Sequence, residues 1–246
     1  MKMASTCLQM DVGNSSAKWR LVVDGAVQAR GSYVQEDAQS QQALLDCAPQ
    51  VEQAWISSVA SPATESRLGA MLEQRWSLKP WFARSAALSC GLKNSYAEPE
   101  KMGVDRWLAM LAGWQRSQGR VCVVDAGSAL TVDIVSASGQ HEGGYIVPGP
   151  VLMERALLQD TDLVRFADDV AYSLAPGQST AEAVRHGVCL AQAGAVALAL
   201  ERAAAEPLDT YFCGGGGEAL MAFLEIDSHY CADLVFEGLE LAAGEA

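Results

Sequence analysis

Residues 8–25, LQMDVGNSSAKWRLVVDG, and residues 121–139, VCVVDAGSALTVDIVSASG, are two versions of one pattern. A shift of 114 positions places Asp11 on Asp125, Gly13 on Gly127, Asn14 on Ser128 and Gly25 on Gly139. Each copy reads as an apolar strand, a D-x-G-(N/S) interruption, a second strand and a tight turn, because Asp24-Gly25 and Ser138-Gly139 are hairpin signals. A further extended run succeeds each turn, AVQARGSYV at 26–34 and QHEGGYIV at 140–147. A three-stranded antiparallel meander is therefore repeated within a chain of 246 residues, which calls for two domains of one plan.

Beyond each meander, helical and extended patterns alternate. In the first half, 37–49 and 63–76 read as helices, with a strand at 55–59 between them and an extended piece near Trp81. Segment 99–117 reads as a helix that gathers Val104, Trp107, Leu108, Leu111 and Trp114 on one face. In the second half, 151–167 and 179–205 read as helices, 208–213 as a buried strand ending in four glycines, and 217–225 as a helix. The break QRSQGR at 115–120 sets the boundary, giving α/β domains at 1–117 and 118–246.

Half the residues are apolar, so a packed core is expected. The start lacks a basic region followed by a long apolar stretch, and 188–200 is too short and interrupted for a membrane span, which points to a soluble, untargeted chain. Seven cysteines, odd in number and never in CxxC spacing, read as reduced core residues of a cytoplasmic protein. His141, His186 and His229 lack metal-binding spacing. Seventeen basic against thirty acidic residues give a net charge of −13, which opposes nucleic acid and anionic membrane as partners.

The interruptions carry the chemistry. A strand pair bent at glycine exposes successive backbone N–H groups that suit a phosphate. A carboxylate at the start of the bend would repel that phosphate unless a hard cation such as Mg²⁺ lay between them, so Asp11 and Asp125 imply one. Asn14, Ser15, Ser128 and Thr131 supply neutral hydrogen bonds, and Lys18 is a point charge for a terminal phosphate. A single D-x-G-N is common turn chemistry, since Asp and Asn bond their own backbone; two copies in matching settings favour phosphate. The GGGG at 214–217 is either a nucleoside seat or a plain loop.

Paired D-x-G hairpins in duplicated α/β domains resemble the superfamily of acetate and sugar kinases, heat-shock chaperone ATPases and actin. Within it, the order DVGNSSAK (11–18), YAEPEKMGVDRW (96–107), DAGSALTVD (125–133), GGYIVPG (143–149) and STAEAVRHG (179–187) is similar to type III pantothenate kinase along essentially the whole chain. Serine stands where that family usually has threonine after its Asn or Gly, and the hydroxyl is kept.

The resemblance implies two ribonuclease H-like domains, each a mixed sheet opening with the meander and flanked by helices, with an ATP cleft between them. It implies ATP-dependent phosphorylation of pantothenate, the first step towards coenzyme A, with Mg²⁺ and a monovalent cation, K⁺ or NH₄⁺. By position, Asp11, Val12, Gly13, Asn14, Ser15, Ser16, Ala17 and Lys18 would bind ATP phosphates and Mg²⁺, Ser128 would contact ATP, and Asp125 would ligate the monovalent cation. Tyr96, Gly103, Val104, Asp105 and Arg106 would line the pantothenate pocket, with Asp105 the general base and Thr180 entering from the partner of a homodimer.

Some of these residues also have plainer readings. Asp105 suits the first turn of a helix, where an acid offsets the dipole, with Lys101 four residues before it. Ser179 and Glu182 form a capping-box pattern that leaves Thr180 to face elsewhere. Tyr96 also suits the edge of a core. Two further functions remain open: a kinase for another small hydroxy acid, and a non-catalytic ATP-binding regulator.

Overall fold

The computed structural model describes residues 5–14 and 16–245. The chain forms two compact units. The first comprises residues up to 90, residues 96–112 and residues from 235 on, and the second comprises 91–95 and 113–234.

In the first unit, β1 (Thr6–Val12), β2 (Ala17–Val23) and β3 (Ala26–Tyr33) form the meander, and β1 pairs in parallel with β4 (Gln53–Ser58). A short β5 (Trp81–Phe82) completes a sheet of order β3-β2-β1-β4-β5. Strand alternation sends Leu8, Met10 and Ile56 to one face, where they are buried with Leu44 of α1 (Ala38–Leu45) and with Leu68, Leu72 and Trp76 of α2 (Pro62–Trp76). Asp37 caps α1, accepting from the backbone N–H groups of Gln39 and Ser40, and Ser61 caps α2. The predicted helix 37–49 ends early at Leu45: the acidic Asp46 sits where the dipole disfavours it, and Pro49 cannot continue the helix.

The other face of this sheet carries buried Gln9 and Arg20. Gln9 Oε1 accepts from Arg20 Nε at 2.7 Å, and Glu240 Oε1 accepts from both Arg20 Nη2 and Gln9 Nε2 at 2.9 Å. Glu240 lies on the C-terminal helix, Leu234–Ala243, whose Phe236 ring sits 4.8 Å below the Arg20 guanidinium. The same helix meets α3 (Val104–Ser117) at Gly238, where a side chain would strike the backbone carbonyl of Leu108. The predicted helix 99–117 is interrupted: Pro99–Lys101 forms one 3₁₀ turn, and α3 starts after Gly103.

The second unit repeats the plan. β6 (Val121–Ala126), β7 (Ala129–Val135) and β8 (His141–Pro148) form its meander, and β9 (Asp209–Cys213) and β10 (His229–Tyr230) add in parallel, giving β8-β7-β6-β9-β10. Cys122, Val124, Val132 and Phe212 form a core with Ala193 and Val196 of α5 (Thr180–Ala203) and Leu220 of α6 (Gly217–Leu224). α5 has the length and apolarity of a membrane span, but its Ala193, Val196 and Ala199 are buried. Ser179 Oγ caps it through Glu182 N–H, while Glu182 reaches back to Gln178 N–H, so the capping box is shifted by one residue. The helix predicted at 151–167 is α4 (Pro150–Asp160) only, because Thr161 turns extended and its hydroxyl bonds the Leu157 carbonyl. His141, buried, bridges Ser95 Oγ at 2.8 Å and Asp133 Oδ1 at 3.1 Å.

Gly238→Ala is expected to lower unfolding free energy by about 1–3 kcal/mol, through overpacking against Leu108, with no change in far-UV signal. Urea unfolding measures it, and unchanged stability would show that the two helices have slack at that contact.

Candidate active site

The first hairpin leaves β1 at Asp11 and rejoins β2 at Ala17, with Gly13 N–H bonded to the Ser16 carbonyl at 3.0 Å. Ser15 lies outside the described residues. Val12 and Ala17 have buried side chains, so at those positions only the backbone faces a ligand. Asn14, Ser16 and Lys18 are exposed. Asp11 and Lys18 are direct antiparallel partners, and Asp11 Oδ1 accepts from the buried Ser57 hydroxyl at 2.9 Å. Burial pushes Asp11 up to about 6; the negative Asp105 adds to this, and the Ser57 bond and Lys18 offset part of it.

Asp105 and its neighbours occupy the first turn of α3. Asp105 Oδ1 accepts from Arg106 N–H at 2.8 Å, which fixes the carboxylate, and a methyl group at Gly103 would stand 2.6 Å from the same oxygen. A side chain at Gly103 would therefore displace the Asp105 carboxylate. Arg106, 6% exposed, donates from Nη1 to the Tyr96 hydroxyl at 3.0 Å, and its guanidinium lies 5.9 Å from the Tyr96 ring centre. Val104 is buried, so it shapes the site from below. The structure thus gathers Asp11, Lys18, Ser57 and Asp105, and ties Arg106 to Tyr96.

The second hairpin spans Gly127 and the exposed Ser128. Gly127 N–H bonds the Ala129 carbonyl at 3.0 Å, and Gly149 N–H bonds the Ser128 carbonyl at 3.1 Å. Asp125 pairs with Thr131 on one side and Cys213 on the other. Gly214, with φ of 80°, is packed so that a side chain there would strike Asp125 Oδ1. Gly216 N–H bonds the Ala126 carbonyl at 2.9 Å, so the four-glycine turn is docked on the hairpin. A cavity of about 290 Å³ opens beside it, lined by Gly127, Tyr172, Val188, Gln192, Gly216 and Phe223. Thr180 is exposed at the start of α5 and lines a second, apolar groove of about 660 Å³ with Leu152, Met153 and Val184.

Among the described residues no three His, Cys, Asp or Glu side chains cluster to cage a metal. The donor set at Asp11 still fits a hard divalent cation, which characteristically takes one or two carboxylates and completes its shell with phosphate and water. Such a cation would favour the ionised form that burial and Asp105 oppose.

Sequence reasoning passed over Ser57, Tyr172 and Gln192. Ser57 carried a signal: Ser57-Ser58 ends an otherwise apolar strand, in register with Asp11-Val12. Tyr172 and Gln192 carried none, since one lies in an irregular segment and the other inside a helix.

The sequence profile of the type III pantothenate kinases matches residues 7–202. A curated type III pantothenate kinase from Marinobacter nauticus is 35% identical over 236 residues, covering 96% of this chain and 97% of its own length. That from Thiobacillus denitrificans is 37% identical over 244 residues, 98% of each chain. Among solved structures, component A of the Acidaminococcus fermentans (R)-2-hydroxyglutaryl-CoA dehydratase superposes with a TM-score of 0.51 at 14% identity, covering 97% of this chain and 96% of its own. That likeness shows the fold, duplicated ribonuclease H-like domains.

The raised Asp11 has a pH signature. Its proton leaves the unfolded chain near pH 4 and the folded chain near pH 6, so stability present below pH 4 is lost as pH rises through 6. Asp11→Asn keeps an acceptor for Ser57 and should remove this dependence. Its stability relative to the parent is expected to improve by about 1–3 kcal/mol between pH 4 and pH 7.5. Parallel urea titrations would test this, and parallel pH profiles for the two proteins would refute it.

Proposed function

The chain belongs to the family of type III pantothenate kinases, and we propose that it transfers the terminal phosphoryl group of ATP to the primary hydroxyl of pantothenate, opening the route to coenzyme A. The observation that supports it most is the start of α3, where a fixed carboxylate, Asp105, adjoins a buried guanidinium held by Tyr96. A primary alcohol is too weak an acid to ionise at neutral pH, so a carboxylate must take its proton as the phosphoryl group arrives. Asp105 takes that role. Arg106 holds the carboxylate of pantothenate and so orients the alcohol, with Tyr96, Gly103 and Val104 shaping the pocket.

Lys18 and the turn that it follows, with Asn14 and Ser16, hold the ATP phosphates, and Asp11 holds the divalent cation. When bound, that cation neutralises charge on the phosphates during transfer. Asp125 ligates a monovalent cation, K⁺ or NH₄⁺, and Ser128 contacts ATP. The cavity beside Gly216 seats the nucleoside.

The apolar groove at Thr180 and the exposed Ile146, Leu190 and Leu198 support a homodimer in which Thr180 enters the partner's pantothenate pocket. The protein works in the cytoplasm, whose reducing conditions suit seven cysteines with no disulfide among them in this structure.

Purified protein is expected to consume ATP when given pantothenate, faster with K⁺ or NH₄⁺ and far more slowly with other hydroxy acids or sugars. Asp105→Asn should lower kcat by about 10²–10⁴ while nucleotide affinity is kept. Retained turnover would remove Asp105 from its role, and preference for another acceptor would reassign the substrate. Leu190→Asp with Leu198→Asp should turn a dimer into a monomer in sedimentation and depress turnover; a dimeric variant would place the interface elsewhere.

A further inference from the structure

Two cysteines that the kinase chemistry leaves unused meet at the edge of the second sheet. β9 and β10 run parallel with Tyr211 opposite His229 and Phe212 opposite Tyr230, so the next residues, Cys213 and Cys231, are opposite each other. Cys231 N–H bonds the Phe212 carbonyl at 2.8 Å, which holds the strands together at this point. Register partners in a sheet share a face. The pair two residues back demonstrates it, since the Tyr211 and His229 rings are 5.0 Å apart.

Neighbouring strands are about 4.8 Å apart, inside the Cα separation that a disulfide spans. Both cysteines carry reduced thiols in this structure. No comparable partner faces the other cysteine of this sheet, because Cys122 pairs with Thr210 and Ile134.

We propose that Cys213 and Cys231 form a reversible disulfide under peroxide, and that this cross-link weakens nucleotide binding at the adjoining glycine turn. The second half rests on the nucleoside seat assigned above. Cys231 is half-buried and meets the oxidant first, while Cys213 is 1% exposed. The Cys231 sulfur, as thiolate, attacks one peroxide oxygen. The O–O bond breaks, giving a sulfenic acid and, after protonation, one water. The Cys213 sulfur then attacks the sulfenic sulfur, forms the S–S bond and expels the second water. Two thiols are oxidised by two electrons, and one hydrogen peroxide is reduced to two waters.

The mechanical effect comes from spacing. A disulfide holds its Cβ atoms about 3.8 Å apart in a fixed dihedral, so closing it draws β10 and Cys213 towards each other. Gly214 moves with it and has no slack, because Asp125 Oδ1 and the Ala126 carbonyl fill the space beside it. Tyr230 is also tied to Gly214, its hydroxyl donating to that carbonyl at 3.1 Å. The displacement therefore reaches Gly216, which lines the nucleoside cavity.

The test is to treat the protein with hydrogen peroxide, map cross-links by mass spectrometry of peptides cut after glutamate, since Glu218 and Glu225 separate the two cysteines whereas no Lys or Arg follows Arg202, and titrate a fluorescent ATP analogue before oxidation, after it, and after dithiothreitol. Expected are a loss of about 2 Da joining the peptides of Cys213 and Cys231, and a loss of affinity of about five-fold or more that dithiothreitol restores. Cys231→Ser and Cys231→Ala should both keep the parent's affinity and resist the oxidant. Cross-links to other cysteines, sulfinic acid at Cys231 without a disulfide, or a 213–231 disulfide with unchanged affinity would each overturn the proposal. Mapping needs no turnover, so a protein that failed to phosphorylate pantothenate would still answer the question of the cross-link.

Discussion

Asp11 is a carboxylate held mostly out of water with a second acid, Asp105, near enough to oppose its charge, and its other neighbours offset part of that cost. The meander brings Asp11 to a bend where Ser57 donates to one carboxylate oxygen and Lys18 stands opposite. The start of α3 brings Asp105, anchored through its neighbour's N–H. Left alone, the pair is unfavourable, which adds to the burial that makes Asp11 resist ionisation. On the proposed reading, a cation and a phosphate chain bound there would offset the repulsion. Sites tuned this way trade stability for affinity.

The two hairpins began as one design and solve different problems. The first surrounds its acid with a hydroxyl and an ammonium, which suits a ligand carrying both charges. The second surrounds Asp125 with Gly127 and Gly214 and leaves Ser128 exposed, which suits close approach by backbone and a small ion. Divergence after duplication has therefore changed the company of the acid and left the acid itself in place.

Repetition and alternation were legible in the sequence. The meanders, the hairpins and most helices emerged from apolar periodicity and turn residues, and the segment 103–107 stood out by its motif. Bonds between distant side chains were not legible. The link from Ser57 to Asp11 depends on the register of two parallel strands that the sequence does not state, and His141 is explained only when Ser95 and Asp133 are found on either side of its ring. The C-terminal helix had no reading, because what fixes it is Arg20, buried 220 residues earlier. Helix ends at Leu45 and Asp160 were overrun because a side-chain bond or an acid at the last turn interrupts no hydrophobic pattern.

The tie between Arg20 and Glu240 also makes the first unit discontinuous in sequence. Its buried guanidinium meets Glu240 and Phe236, the former 220 residues further along the chain. The sheet and most helices of the second unit lie in between. The polar core of the first unit therefore closes through one very long loop, whose closure costs entropy that no neighbouring contact offsets, and a chain cut after Leu234 would leave Gln9 and Arg20 without that cover.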